Sequence, residues 1–173
     1  MSNREVIYEG RVFSVTRDKV TLPNGRHAAL EVVRHPGAAA IVPLTEGNDV
    51  LLLKQYRHAA GGYIWEIPAG TLEESETALA CAKRELVEET GHSSEVWEEL
   101  TTIIPSPGYG DERITIFLAR GLANGIDLDL DTDEVLEVHT IPLKRALEMV
   151  RSGEISDAKT VCGLFLASLR TGV

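Results

Sequence analysis

Three glutamates within five residues, Glu85, Glu88 and Glu89, are the part of this 173-residue chain best suited to chemistry. On a helix turning about 100° per residue, Glu89 falls roughly 40° to one side of Glu85 and Glu88 roughly 60° to the other. All three carboxylates then share one face. Like charges at these spacings repel. Arg84 can pair with Glu88 four residues on, but one guanidinium cannot neutralise the whole cluster. Hard oxygen donors in such a group suit Mg²⁺ or Mn²⁺, and a cation would remove the repulsion. The plainer alternative is a solvated acidic face, and a short glutamate cluster by itself favours it.

The element that must carry these residues lies between Gly70 and His92, GTLEESETALACAKRELVEETGH. It reads as a loop feeding a helix. Pro68, Ala69 and Gly70 form a breaker cluster. Ser75 suits the N-cap, which puts Glu76 in the first turn, where the helix dipole favours an anion. Gly91 suits the C-cap. Leu79, Ala82 and Leu86 recur at i, i+3 and i+7, a spacing compatible with a helix.

Composition narrows the classes of function. Hydrophobic residues make up 43% and charged residues 25%, ordinary for a globular domain with a real core. A net charge of −10 argues against a nucleic-acid backbone or an anionic membrane as partner. It leaves room for a small phosphorylated ligand held through metal. Two lone thiols, Cys81 and Cys162, give no disulfide framework and no zinc motif. MSNREVIYEG has no apolar segment of the signal type, and no apolar run approaches membrane-spanning length. A cytoplasmic protein without membrane or nucleic-acid partners is the expectation.

Residues 5–35 read as three short strands, with Asn24-Gly25 as the hairpin turn between the second and third. That region is too small to bury a core alone and must pack on something. The chain therefore divides into an N-terminal β subdomain, residues 1–36, and a main domain, residues 37–173. In the main domain, 38–44 and 50–56 are continuous apolar runs, read as buried strands. Short strands are expected at 63–67, 97–104, 113–119 and 134–141. Residues 105–112 form a structured loop, and 121–133 an acidic one. Helices are expected at 143–151 and 157–170, the latter capped by Asp157.

Other candidate sites fail on their spacing. Asp127, Asp129, Asp131 and Asp133 hint at a calcium loop, but Thr132 and Val138 stand where its glycine and glutamate belong. The five histidines have no ligand spacing. Ser106 lacks the turn context of a nucleophile. Cys81, in mid-helix, is read as packed rather than reactive. Arg57, at the end of a strand, is either a surface cation or a guanidinium for a diphosphate.

The full spacing changes how the acidic helix is read. Gly70, Glu76, Arg84-Glu85-Leu86, Glu88-Glu89 and Gly91 occupy every fixed position of the Nudix box, which the segment resembles. Its last position, usually apolar, holds His92. KQYR at 54–57, WEIPAG at 65–70, Pro107, SPGYGDE at 106–112, DEVLEVHTIPL at 133–143 and DAKT at 157–160 resemble the ADP-ribose pyrophosphatase branch. The resemblance covers nearly the whole chain.

It implies an α/β/α sandwich around a mixed sheet. It also implies Mg²⁺-dependent (or Mn²⁺-dependent) hydrolysis of the diphosphate of ADP-ribose, giving AMP and ribose 5-phosphate. Glu85, Glu89, the Ala69 carbonyl and Glu66 would serve the metal, with Glu88 close by. Arg84 would hold the glutamates, while Arg57, Glu112 and Glu66 would meet the nucleotide-sugar substrate. Glu134 would be the general base, with Glu137 its nearest rival. The protein would be a homodimer through its N-terminal strands. Adenine-clamping aromatics are not obvious in those strands, where Tyr8 and Phe13 stand alone. GDP-mannose or a dinucleoside polyphosphate as substrate, and a catalytically silent nucleotide-binding module, are the alternatives.

Overall fold

Strand β4, Ala38–Pro43, explains the architecture, because its residues are buried on both faces. Ala38, Ala40 and Val42 join one apolar cluster, while Ala39 and Ile41 join another. Period-two alternation with no polar face requires a layer on each side. The computed structural model describes residues 4–126, 130 and 135–173. In it, a helix α1, Ala78–Thr90, supplies Cys81, Ala82 and Leu86 to one side of β4. A helix α3, Ala158–Thr171, supplies Leu164 and Ala167 to the other. The expected α/β/α layering around a mixed sheet is what the chain adopts.

That mixed sheet has four strands in the order β7-β4-β9-β8. Its remaining members are β7, Ala69–Thr71, β8, His92–Ile103, and β9, Ile114–Asn124. Strands β4 and β9 run parallel, and the other pairs are antiparallel. A second sheet, order β10-β5-β6, is antiparallel throughout. It comprises β5, Asp49–Arg57, β6, Gly62–Glu66, and β10, Leu136–Pro142. Val50 and Leu52 of β5 pack into the α3-side cluster, together with Leu143, Ala146 and Met149 of α2, Leu143–Ser152.

The N-terminal strands, β1 (Arg4–Glu9), β2 (Ser14–Thr21) and β3 (His27–Arg34), form a separate antiparallel sheet. The β2–β3 hairpin turns where Asn24-Gly25 predicts it, with Gly25 at φ +82°. Every residue of β1 is exposed.

Two expectations need correction. Ser75 is not the N-cap of α1, and Glu76 is not in its first turn. Ser75 sits in the left-handed region at φ +66°, inside a turn closed by Glu76 N–H donating to Glu73 O. Thr77 caps instead, its hydroxyl accepting Ala80 N–H at 3.2 Å. Residues 121–124 are strand rather than loop. The β8–β9 ladder continues until His92 pairs with Asn124. Composition marks these residues as loop, but β8 begins directly after the helix and supplies backbone partners along their length. Asp157 caps α3 as expected, accepting Thr160 N–H.

Candidate active site

A cavity of about 850 Å³ opens between the mixed sheet, the β10-β5-β6 sheet, α1 and the start of α3. Its walls bring together Arg57, Glu66, Ala69, Arg84, Glu85, Glu88 and Glu112, seven of the nine residues singled out from the sequence. An eighth, Glu89, is buried behind the wall, 1% exposed. Its Oε2 accepts the Ala69 N–H at 2.9 Å. The ninth, Glu134, lies outside the described residues, as do Asp127, Asp129, Asp131 and Asp133.

The acidic face of α1 is organised by one cation. Arg84 donates to Glu85 at 2.6 Å, to Glu88 at 2.9 Å and to Glu76 at 3.0 Å. The hydrogen bond to Glu76 is the largest cause of a raised Arg84 pKa, and partial burial opposes it. Reciprocally, the Arg84 hydrogen bond is the main reason that the Glu76 carboxyl lies below its ordinary value. Glu85 needs a backbone without a side chain next to it. A Cβ at Gly70 would stand 1.7 Å from Glu85 Oε1.

The opposite wall is a second ionic cluster. Glu66, on β6, accepts from Arg57 Nε at 2.8 Å and from Lys159 Nζ at 2.6 Å. Lys159 also donates to Asp157 at 3.1 Å. Asp157 further accepts the Thr160 hydroxyl at 2.6 Å, and that hydroxyl accepts Ile67 N–H at 2.9 Å. Glu66 is only 4% exposed in its side chain and Lys159 10%. A charge buried this far must be paired, and here the pairing fixes β6 to α3. Glu66 is thus held by two cations, whereas the sequence suggests it as a group near metal and substrate.

Lys159 is a cavity-wall residue that sequence reading misses. DAKT is noticeable there as a resemblance, and a lysine early in an apolar helix is a weak signal of its own. Its partner Glu66 is 93 positions away, so no local pattern pairs the two. Arg11 and Val12, from the turn between β1 and β2, also reach the cavity wall, so the N-terminal sheet contributes to it. Cys81 is fully buried, its Sγ 3.5 Å from Gly70 O. Burial, aided by Glu85 and Glu76, pushes its thiol up to about 12, which suits a packed and unreactive cysteine. His92 is half-buried, its Nδ1 donating to Thr90 O at 2.7 Å.

The donor chemistry here would suit a hard divalent cation, because Glu85, Glu88, Glu89 and the Ala69 carbonyl offer oxygen atoms. Among the described residues no three His, Cys, Asp or Glu side chains converge into a ready coordination group. Glu85 and Glu88 are paired with Arg84 instead, and a cation would compete for them.

Comparison with known proteins gives concordant findings. The family described as NUDIX domain matches residues 34–162. A Bacillus methanolicus protein named methanol dehydrogenase activator is 41% identical over 158 residues, spanning 91% of this chain and 85% of its own. The ADP-ribose pyrophosphatase of Bacillus subtilis (strain 168) is 38% identical over 168 residues, spanning 96% and 91%. A crystal structure of an ADP compounds hydrolase superposes with a TM-score of 0.84 at 23% identity. It covers 98% of this chain and 92% of that one. At that identity, the likeness is one of fold.

Proposed function

Because this chain belongs to the NUDIX domain family, we propose that it is a Mg²⁺-dependent hydrolase of ADP-ribose. Its products are AMP and ribose 5-phosphate. The observation that carries this reading is the cavity itself, with a carboxylate-lined helix face on one wall and the Arg57–Glu66–Lys159 cluster on the other. The substrate is supported by the ADP-ribose pyrophosphatase relative and by the KQYR and SPGYGDE segments.

Nudix hydrolases generally need divalent metal ions. The chemistry such an ion supplies is neutralisation of the diphosphate charge and acidification of the attacking water. Glu85, Glu89 and the Ala69 carbonyl are its ligands in this reading, with Glu88 and Glu66 close by. Arg84 keeps Glu85 and Glu88 from recoiling from each other. Arg57, anchored by Glu66, offers a guanidinium to the diphosphate oxygens. Glu112 meets the nucleotide-sugar substrate. Glu134 takes the proton from water as its oxygen bonds to phosphorus. The bridging P–O bond breaks, and its oxygen leaves with the other phosphate.

The same reading includes Mg²⁺ ahead of Mn²⁺, a cytoplasmic setting, and a division near residue 36 between an N-terminal β subdomain and the hydrolase domain. It also includes a homodimer. No described helix is long and apolar enough to cross a membrane. The substrate is tested by competition. With Mg²⁺ present, ADP-ribose should show a higher kcat/KM than GDP-mannose, dinucleoside polyphosphates or nucleoside triphosphates. A clear preference for GDP-mannose would assign the cavity to another nucleotide sugar.

A further inference from the structure

The loop between β8 and β9, residues 104–113, carries Glu112 to the cavity wall but has no helix or strand of its own to hold it. Its end is tied to β4, where Ala38 N–H donates to Arg113 O at 2.9 Å, and its middle is held by the N-terminal sheet. Val33 N–H donates to Tyr109 O at 2.8 Å, and Asp111 N–H donates to Val33 O at 3.1 Å. The Asp111 side chain completes the join. Its Oδ2 accepts from Arg34 at 2.7 Å and its Oδ1 accepts His35 N–H at 3.0 Å. Arg34 is braced in turn by Asp18 and by the Thr16 hydroxyl, the latter at 3.1 Å, and Asp18 pairs with Arg4. A row of alternating charge, Arg4, Asp18, Arg34 and Asp111, therefore crosses all three N-terminal strands and ends on the loop.

Glu112 is placed by this join and does not take part in it. Its carboxylate lies 3.6 Å from His35 Nδ1, but that nitrogen accepts Gly37 N–H at 3.1 Å. With Nδ1 accepting from Gly37, the ring has no donor left there for a hydrogen bond to Glu112. The charges agree with the geometry. The hydrogen bond to Asp111 is the largest cause of a raised Arg34 pKa. Burial works to raise the Asp111 carboxyl, but the Arg34 and His35 hydrogen bonds outweigh it and leave the pKa below the ordinary value.

We infer that Asp111 is a positioning residue: gripped by Arg34, it docks the β8–β9 loop on the N-terminal sheet and fixes the Glu112 carboxylate at the cavity wall. The consequence for substrate rests on the hydrolase reading given above; the docking itself does not. Asp111 touches neither the α1 carboxylates nor the Arg57 cluster, so its loss acts on binding rather than on the chemical step.

The test compares wild-type protein with Asp111→Ala and Asp111→Asn by amide hydrogen exchange and by ADP-ribose kinetics with Mg²⁺. In Asp111→Ala, the Val33 and Asp111 amides exchange at least about tenfold faster, as local opening predicts. KM rises about tenfold with kcat within about twofold, the size of one lost charge-assisted hydrogen bond. Asp111→Asn, which can still accept His35 N–H, falls between. Unchanged exchange across 105–112, or a loss of kcat at constant KM, overturns the inference. So does loss of protection in β4 and β9 in both variants, which would make Asp111 a general structural residue. Wild-type protein inactive on ADP-ribose would remove the hydrolase reading, while the exchange comparison would still decide the docking.

Discussion

Gly70 is where the backbone makes room for a carboxylate. An alanine Cβ there would lie 1.7 Å from Glu85 Oε1 and 2.0 Å from its carboxyl carbon, so Glu85 has to move. Displacement of a reacting group by about an ångström costs on the order of a hundredfold in rate. Gly70→Ala is therefore expected to lower kcat by about that factor while the cooperative thermal unfolding transition is kept. Activity within about threefold of wild type would show that the position of Glu85 is not needed. Glu76 offers a test by pH. Its carboxyl lies below the ordinary glutamate value of about 4.3, chiefly through the Arg84 hydrogen bond. The stabilisation is thus complete above that unfolded value and lost as pH falls through the lower folded one. Urea midpoints measured from pH 7 downward should fall below about pH 4.3, and Glu76→Gln should flatten that fall. Equal acid limbs in both proteins would contradict the Arg84–Glu76 pairing. The helix period alone made Glu85, Glu88 and Arg84 legible as neighbours. It could not reveal that Arg84 also reaches Glu76, because Glu76 precedes the helix in a turn that depends on a left-handed Ser75.

Helix α3 shows how packing decides what propensity does not. Gly163 lies in its interior, where alanine would ordinarily gain about 0.5–1 kcal/mol. Here an added Cβ would stand 2.9 Å from Val42 Cγ2 and 3.0 Å from Ile67 Cδ1. Overpacking of a filled core costs typically about 1–3 kcal/mol. The second effect is the larger, so Gly163→Ala should lower the urea midpoint, and a rise would mean that the helix can shift outward freely. The close approach also matters to the site, because α3 delivers Lys159 to Glu66 from its first turn. The strands β4 and β5 and the cap of α3 were legible from apolar runs and from Asp157. The extension of β9 to Asn124 was not, since its partner β8 supplies the hydrogen bonds that its own composition does not advertise. Lys159 escaped for the same reason: its meaning lies in a residue on another strand.

Strand β1 and the turn after it expose large apolar side chains. Val6 is 60% exposed, Ile7 47%, Tyr8 54% and Phe13 44%. In the homodimer proposed above, a second copy of the chain would cover these side chains. Light scattering at concentrations where the protein is active should therefore give the mass of a dimer; a monomer there would leave these side chains without their proposed cover. The most direct test of the cavity's proposed function is the fate of ADP-ribose in ¹⁸O-water, followed by mass. With Mg²⁺, the products should be AMP and ribose 5-phosphate, one of them carrying a single ¹⁸O on its phosphate. Excess EDTA, or Glu89→Gln in a folded protein, should abolish most of this turnover. Full turnover in EDTA, or intact ADP-ribose after incubation with Mg²⁺, would contradict a metal-assisted attack of water at this site.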